Sequence, residues 1–314
     1  MAGFFNALSA SVVLLMLMSV GYVMGHLGWM TPQEKKFISK YLINIAVPCN
    51  CIVGLLNNLN RDSLAEAGIM LVSCLMSIGL TLLLSMAVAT LLKLPRERWG
   101  VFVAMAGLAN ALFIGIPVST QLFGQASMPY VMVYYLANTT FLQSVGFLLI
   151  ENSGRKGDSK ITVGRVLKDV FSKPPIIAVL VTLVFLLADI MPPQPFMKFA
   201  QYISNSVSPL ALIYCGFIIY ELGLKNIRIM PGLPAMMVVR LVISPLLCMG
   251  MCAITGVSGL PSQVFIVESA LPVVSQVPVM AGAYGADEKY AATGACLSTL
   301  GGFITIPILM LIMG

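Results

Sequence analysis

Charge is scarce in this sequence. Asp, Glu, Lys and Arg make up 10% of its 314 residues, where a soluble domain carries ~25%. So little charge leaves no water-facing surface, which excludes most soluble enzymes, nucleic-acid-binding modules and disordered tails. Histidine is scarcer still: His26 is the only one and has no second ligand near it. The seven cysteines (Cys49, Cys51, Cys74, Cys215, Cys248, Cys252 and Cys296) lie inside apolar runs without a CxxC pair, so they read as packing thiols. No aspartate falls inside an apolar run: Asp62, Asp158, Asp169, Asp189 and Asp287 lie in or beside loops. With no nucleophile–base pair or metal cluster either, an intramembrane enzyme is not expected. No basic residue precedes Lys35, so no cleavable signal peptide is expected.

What is abundant is apolar: 59% hydrophobic residues and a mean hydropathy of +0.95. Lipid is the solvent that suits this composition, and a spanning helix takes ~20 apolar residues. Ten candidate spans emerge, at about 4–25, 36–57, 65–92, 99–122, 128–150, 174–191, 196–221, 232–256, 261–284 and 290–313. Fifteen of the 18 basic residues then fall in the loops of one side, Arg61 and Lys198 fall on the other, and Arg240 lies inside the eighth span. The positive-inside rule makes the crowded side cytoplasmic. Both termini are therefore expected outside an inner or plasma membrane, with 151–173 as the main cytoplasmic loop. The net charge of +6 speaks of orientation, not of a nucleic-acid partner. The methionines, 21 in all, are spread over nearly every span and read as packing rather than as a metal path.

The chain repeats itself at an offset of 161 residues. Met30 and Pro32 land on Met191 and Pro193; Tyr41, Asn44 and Pro48 on Tyr202, Asn205 and Pro209; Pro117, Val118 and Gly124 on Pro278, Val279 and Gly285. Five spans per half is an odd number, so the second half enters the membrane upside down. Such inverted repeats are typical of secondary transporters. The expected fold is thus an all-α membrane protein of ten transmembrane helices in two inverted five-helix repeats, 1–150 and 174–314, joined by loop 151–173. Spans 4 and 9 carry mid-span prolines, Pro117 in one, Pro272 and Pro278 in the other. Proline removes a backbone donor, and freed backbone groups survive in lipid only inside protein or beside a wet cavity. Two broken helices crossing at the midplane satisfy this. Pro117 and Pro278 are then expected near the start of each second half-helix, whose N–H groups and positive dipole end favour an anion.

At these residues the sequence resembles the auxin efflux carrier family of the bile-acid/arsenite transporter superfamily. The likeness covers the whole chain. It rests on Asn110-x4-Gly115-x-Pro117 followed by Phe123-Gly124, on Ala270-x-Pro272 with Tyr284-Gly285 further on, and on Asn44-x3-Pro48. Two departures border the expected site: Ala111-Leu112 stands where the family often has Thr-Gly, and Gln276 and Pro278 replace more usual residues. The resemblance implies a scaffold of helices 1, 2, 6 and 7 and a mobile transport unit of helices 3–5 and 8–10. It also implies elevator-type movement, a homodimer, and organic anions as cargo, either auxin-like weak acids or carboxylates such as malate and malonate. The short central loop looks like that of a bacterial member. A channel or substrate sensor of the same fold is the alternative function.

Asn110 is the first choice for substrate contact, since an amide beside a helix break donates to a carboxylate without a fixed charge in lipid; a helix cap is the other reading. Gly115, Pro117, Pro272, Gln276 and Pro278 surround the same breaks. Asn50 and Asn205 flank the scaffold prolines and can line a site or simply join helices; Asn44 is similar. Asn138, Gln143 and Ser144 are weaker candidates. Glu268 is an intramembrane carboxylate, a functional candidate by default that can carry a proton or bind Na⁺, unless a wet vestibule surrounds it. Arg240 can pair with substrate or a carboxylate, but its place near the inner end favours a side chain that snorkels to the interface. No cofactor is expected beyond an H⁺ or Na⁺ coupling ion. Gly21-x3-Gly25 in the first span allows close helix packing, including packing between copies.

Overall fold

The computed structural model describes residues 2–57, 68–155, 174–223 and 230–313. Arg61, Asp62, most of the central loop, Lys225 and Arg228 lie outside the described residues. Those described are helical apart from turns and one isolated antiparallel bridge. Five stretches are long and apolar enough to cross a membrane: Pro32–Leu56, Gly68–Leu91, Met128–Gly154, Gln194–Glu221 and Leu233–Thr255. Shorter apolar helices accompany them.

In chain order the helices are α1 (Ala2–His26), α2 (Pro32–Leu56), α3 (Gly68–Leu91), α4 (Arg96–Gly107), α5 (Ile116–Phe123, entered through a π turn at Ala111–Gly115), α6 (Met128–Gly154), α7 (Pro174–Leu187), α8 (Gln194–Ser204), α9 (Val207–Leu222), α10 (Leu233–Thr255), α11 (Leu260–Ser269), α12 (Gln276–Tyr284) and α13 (Glu288–Met313). The start of α2 is written locally. Thr31 accepts from the Gln33 amide, Glu34 reaches back to the Thr31 amide, and Pro32 fills the first helical position, where no N–H is required.

Three of the prolines inside helical stretches follow π turns. Leu42–Ala46, Ala111–Gly115 and Val239–Ile243 are each followed, two residues after their last residue, by Pro48, Pro117 and Pro245. A proline has no N–H to give and crowds the carbonyl four residues back; the wider turn absorbs both effects without breaking the helix.

The burial pattern is the reverse of a soluble protein's. On α3 the buried face carries Ser73, Ser77, Thr81 and Ser85, one per turn, while Ile69, Val72, Met76, Leu80 and Leu83 are exposed. The Thr81 and Ser85 hydroxyls donate to carbonyls four residues back, while the Ser77 hydroxyl is buried without a partner among the described residues. Small buried faces and an apolar exterior suit lipid.

The helices fall into two packing groups that also meet broadly, α1 and α9 against α13, α1 against α5 and α9 against α12. α2 lies against α7, α8 and α9, and α1 against α9; α3 lies against α4, α6 and α10, while α11 packs on α6 and α10, and α12 on α13. Glycines set the closest approaches. A Cβ at Gly21 would strike the Ile213 backbone, and one at Gly216 the Met18 carbonyl, so α1 and α9 touch backbone to backbone. Gly25 packs against Tyr220 in the same seam. The Gly21-x3-Gly25 pair is thus used within the chain and has no free face for a second copy. Sequence shows that a helix can be approached closely, but not by which neighbour.

The basic ends of several helices meet. Lys35 at the start of α2 pairs with Glu288 of α13, Arg98 of α4 pairs with Asp287, and Gly154 at the end of α6 lies against the Tyr284 carbonyl. This end carries the lysines and arginines read above as the cytoplasmic side.

Candidate functional site

Two helices are interrupted, and the interruptions touch. α4 ends at Gly107 and helical structure resumes at Ala111; α11 ends at Ser269 and α12 starts at Gln276. Between them Ala109 and Val273 form the antiparallel bridge. The Asn110 amide donates to the Pro272 carbonyl at 2.9 Å and the Val274 amide to the Leu108 carbonyl at 3.4 Å. Each break thus satisfies backbone groups of the other, as a low-dielectric interior demands.

A side chain clamps each break from a neighbouring helix. Asn138 of α6 takes both polar groups of Ala109: its Oδ1 accepts from the amide at 3.0 Å and its Nδ2 donates to the carbonyl at 2.9 Å. Ser298 of α13 accepts from the Val273 amide at 3.1 Å and donates to the Ala295 carbonyl.

Arg240 of α10 is fully buried. Its Nη1 donates to the Ala106 carbonyl at 3.4 Å, and its Nη2 to the Ser244 hydroxyl at 3.2 Å and to the Ser269 carbonyl. Ala106 and Ser269 stand at the C-terminal ends of α4 and α11. Two such ends carry roughly one negative charge between them, which a single guanidinium balances. Arg240 therefore does not snorkel. Its place within an apolar span was legible in the sequence, but its full burial and the two helix ends beside it were not.

Glu268, one residue before the end of α11, is also fully buried rather than lining a wet vestibule. The Ser119 hydroxyl donates to its Oε1 at 2.7 Å, while Oε2 has no partner among the described residues. Gly115 lies directly on this carboxylate; any Cβ there would overlap it. The conformational choice at Gly115 is one of space, not of torsion.

The N-terminal ends of the second half-helices are polar. The Asn110 carbonyl accepts from the Ile114 and Gly115 amides, so Asn110 caps the entry to α5 and is 3% exposed. Ser275 caps α12; its hydroxyl is buried without a partner among the described residues. Gln276 accepts from Gln143 Nε2 at 3.0 Å. These two glutamines open on a narrow crevice lined otherwise by apolar side chains such as Leu42, Val47, Val207 and Met280, which come from α2, α9 and α12. Its free volume is ≈ 10 Å³, room for about one water.

The sequence profile of the family described as "Membrane transport protein" matches residues 7–310. The chain belongs to this membrane transport protein family. The expected auxin-efflux-carrier membership therefore stands. The chain is 25% identical over 314 residues to an uncharacterized transporter of Methanothermobacter thermautotrophicus, covering 97% of this chain and 98% of the relative. It is 22% identical over 294 residues to an uncharacterized transporter of Methanocaldococcus jannaschii, covering 92% of each.

In this membrane transport protein the breaks gather Asn110, Gly115, Pro272, Gln276, Arg240 and Glu268. Pro278 is the third residue of α12, near its start as expected. Pro117 is the second residue of α5, near its start as expected, and the π turn Ala111–Gly115 separates it from the break at 108–110. Asn50 is buried but committed, donating to the Tyr135 hydroxyl at 3.2 Å and accepting from Ser204 at 2.9 Å. Asn44 and Asn205 are exposed; Asn44 donates to the Lys40 carbonyl and Asn205 accepts from Gln201. Neither joins the breaks. Ser144 only donates to the Thr140 carbonyl. Ser119, Ser275 and Ser298 went unnoticed in the sequence. For Ser298 a signal existed, because the 161-residue offset carries Asn138 to Thr299, its neighbour.

Proposed function

We propose that this chain is a secondary active carrier of small organic anions, chiefly carboxylates, built as ten spans in two inverted repeats whose broken helices cross at the bilayer midplane. The observation that carries the reading is the sorting of helix ends at the crossing. Arg240 occupies the two C-terminal ends, so their negative field is balanced inside the protein. The two N-terminal ends, with Asn110, Ser275 and Gln276, are left to act on a ligand. Together they present roughly one positive charge, matched to a carboxylate. The helices around α2 and α9 act as scaffold, and α3–α6 with α10–α13 as the moving unit, in an elevator-type cycle. A crevice of one-water size between them fits a closed moment of that cycle. Glu268, with one carboxylate oxygen unpartnered among the described residues, is the proposed H⁺ or Na⁺ coupling group.

The test is uptake and counterflow in proteoliposomes with mono- and dicarboxylates, with and without Na⁺ at two pH values. Trans-stimulation by unlabelled carboxylate is the expected result. Carboxylate flux without trans-stimulation would mark a channel instead. Asn110→Ala is expected to weaken carboxylate affinity about tenfold, the loss of one charge-assisted hydrogen bond; unchanged affinity in a folded variant removes Asn110 from the site. Glu268→Gln is expected to flatten the pH or Na⁺ dependence of uptake, and an identical profile sinks the coupling role.

A further inference from the structure

A second cavity, of ≈ 370 Å³, opens at the basic end between the start of α2 and the junction of α12 with α13. Lys35, Ser39, Tyr214, Gly282 and Glu288 stand on its wall. Lys35 Nζ lies 2.7 Å from Glu221 Oε2 and 2.6 Å from Glu288 Oε1, with only 14% of its side chain exposed. The other oxygen of Glu288, Oε2, accepts from the Tyr214 hydroxyl at 2.9 Å. Lys35, Tyr214 and Glu221 belong to α2 and α9; Glu288 belongs to α13. The two oxygens of Glu288 thus hold one packing group to the other, whereas the Lys35–Glu221 bond stays within a group. Gly282 makes the fit possible, since a Cβ there would overlap both the Tyr214 hydroxyl and the Glu288 carboxylate. The two cavities are neighbours: Ser39, on the wall of this one beside the contact, donates to the carbonyl of Val279, which lines the narrow crevice, at 3.3 Å.

We infer that Lys35, Tyr214 and Glu288 form an ion-pair latch across the route from the crevice to the basic-end cavity, and that a passing carboxylate opens it by replacing Glu288 on Lys35. The latch itself needs only the geometry above; its opening by cargo rests on the carboxylate-carrier reading. The exchange is chemically balanced, because Lys35 gives up one carboxylate partner and gains another, and no proton need move. A neutral solute offers Lys35 no negative charge to replace the Glu288 carboxylate. The latch therefore selects for anions at a point distinct from the crossing.

Hydrogen–deuterium exchange on purified protein in lipid nanodiscs tests this. Glu288→Gln, Tyr214→Phe and Gly282→Ala are each expected to speed exchange at least threefold across both 32–41 and 276–286. Glu221→Gln, which leaves the between-group bonds in place, is expected to leave 276–286 unchanged. Wild-type exchange at 276–286 in all three latch variants overturns the latch, whatever the protein transports. Malonate, added at constant ionic strength against chloride, is expected to reproduce the Glu288→Gln pattern in the wild-type protein. If malonate shows trans-stimulated counterflow but leaves exchange at 276–286 unaltered, opening by carboxylate is overturned and the carrier reading survives. If no carboxylate shows counterflow, the carrier reading falls, and opening by cargo falls with it.

Discussion

Arg240 shows how a single residue holds a broken helix pair together. A lone buried cation is ordinarily ruinous, yet here no carboxylate faces it in an ion pair among the described residues. Its compensation comes from backbone: the carbonyls of Ala106 and Ser269, reached through two nitrogens of one planar fork. Removing it leaves helix-end carbonyls buried without this donor. Arg240→Ala is expected to cost about 2–5 kcal/mol, read as a lowered unfolding temperature in detergent. Arg240→Lys, a point charge without the fork, is expected to recover less than half of the loss. An unfolding temperature unchanged in both variants would show that the helix ends are satisfied some other way. Much of this was open to sequence reasoning in part only. Glu268 and Arg240 stood out as charges in apolar runs, whereas Ser119 and Ser275 looked like any other hydroxyl, because what distinguishes them is a partner 149 residues away or the lack of one.

At the scale of elements, the informative contrast is between two uses of proline. Pro272 lies in a true break, where its own carbonyl accepts from Asn110 of the opposite break. Pro48, Pro117 and Pro245 lie in helices that go on, each after a π turn. All are mid-span prolines in the sequence, but only at Pro272 does a second chain segment stand at hand to take the freed groups. The α1–α9 seam makes a similar point about glycine. Gly21→Ala is expected to destabilise by about 1–3 kcal/mol, since the obstacle is the Ile213 backbone and not a movable side chain. Thermal unfolding would register it, and the homodimer implied by the family resemblance should survive it in light-scattering measurements, because the glycine faces the chain's own α9. Loss of dimer with unchanged monomer stability would contradict that assignment.

For the whole molecule, the apolar exterior and the basic end define how the protein sits in a bilayer. Trp29 and Phe37 are exposed towards the basic end, Phe199 and Tyr202 near the other, as aromatic side chains are at the two membrane interfaces. With an even number of spans and the basic end inside, both termini are expected on the outer side. Protease or impermeant-label access to terminal tags in intact cells checks this; protection of both tags would invert the topology, and protection of one would make the number of spans odd.

The sequence by itself determined the solvent of this protein, its helical class, its family and which two of its spans are weak. These follow from composition, run length and proline position, which are local properties. Only the tertiary structure decided what the weak points do. It placed Ala109 against Val273, set Arg240 on two helix ends, laid Gly115 on Glu268 and bound Lys35 to Glu288, all pairings between residues far apart in the chain. An unpaired backbone group in a low-dielectric interior must find a partner, but which partner it finds is a matter of three-dimensional proximity, and no local pattern encodes that choice.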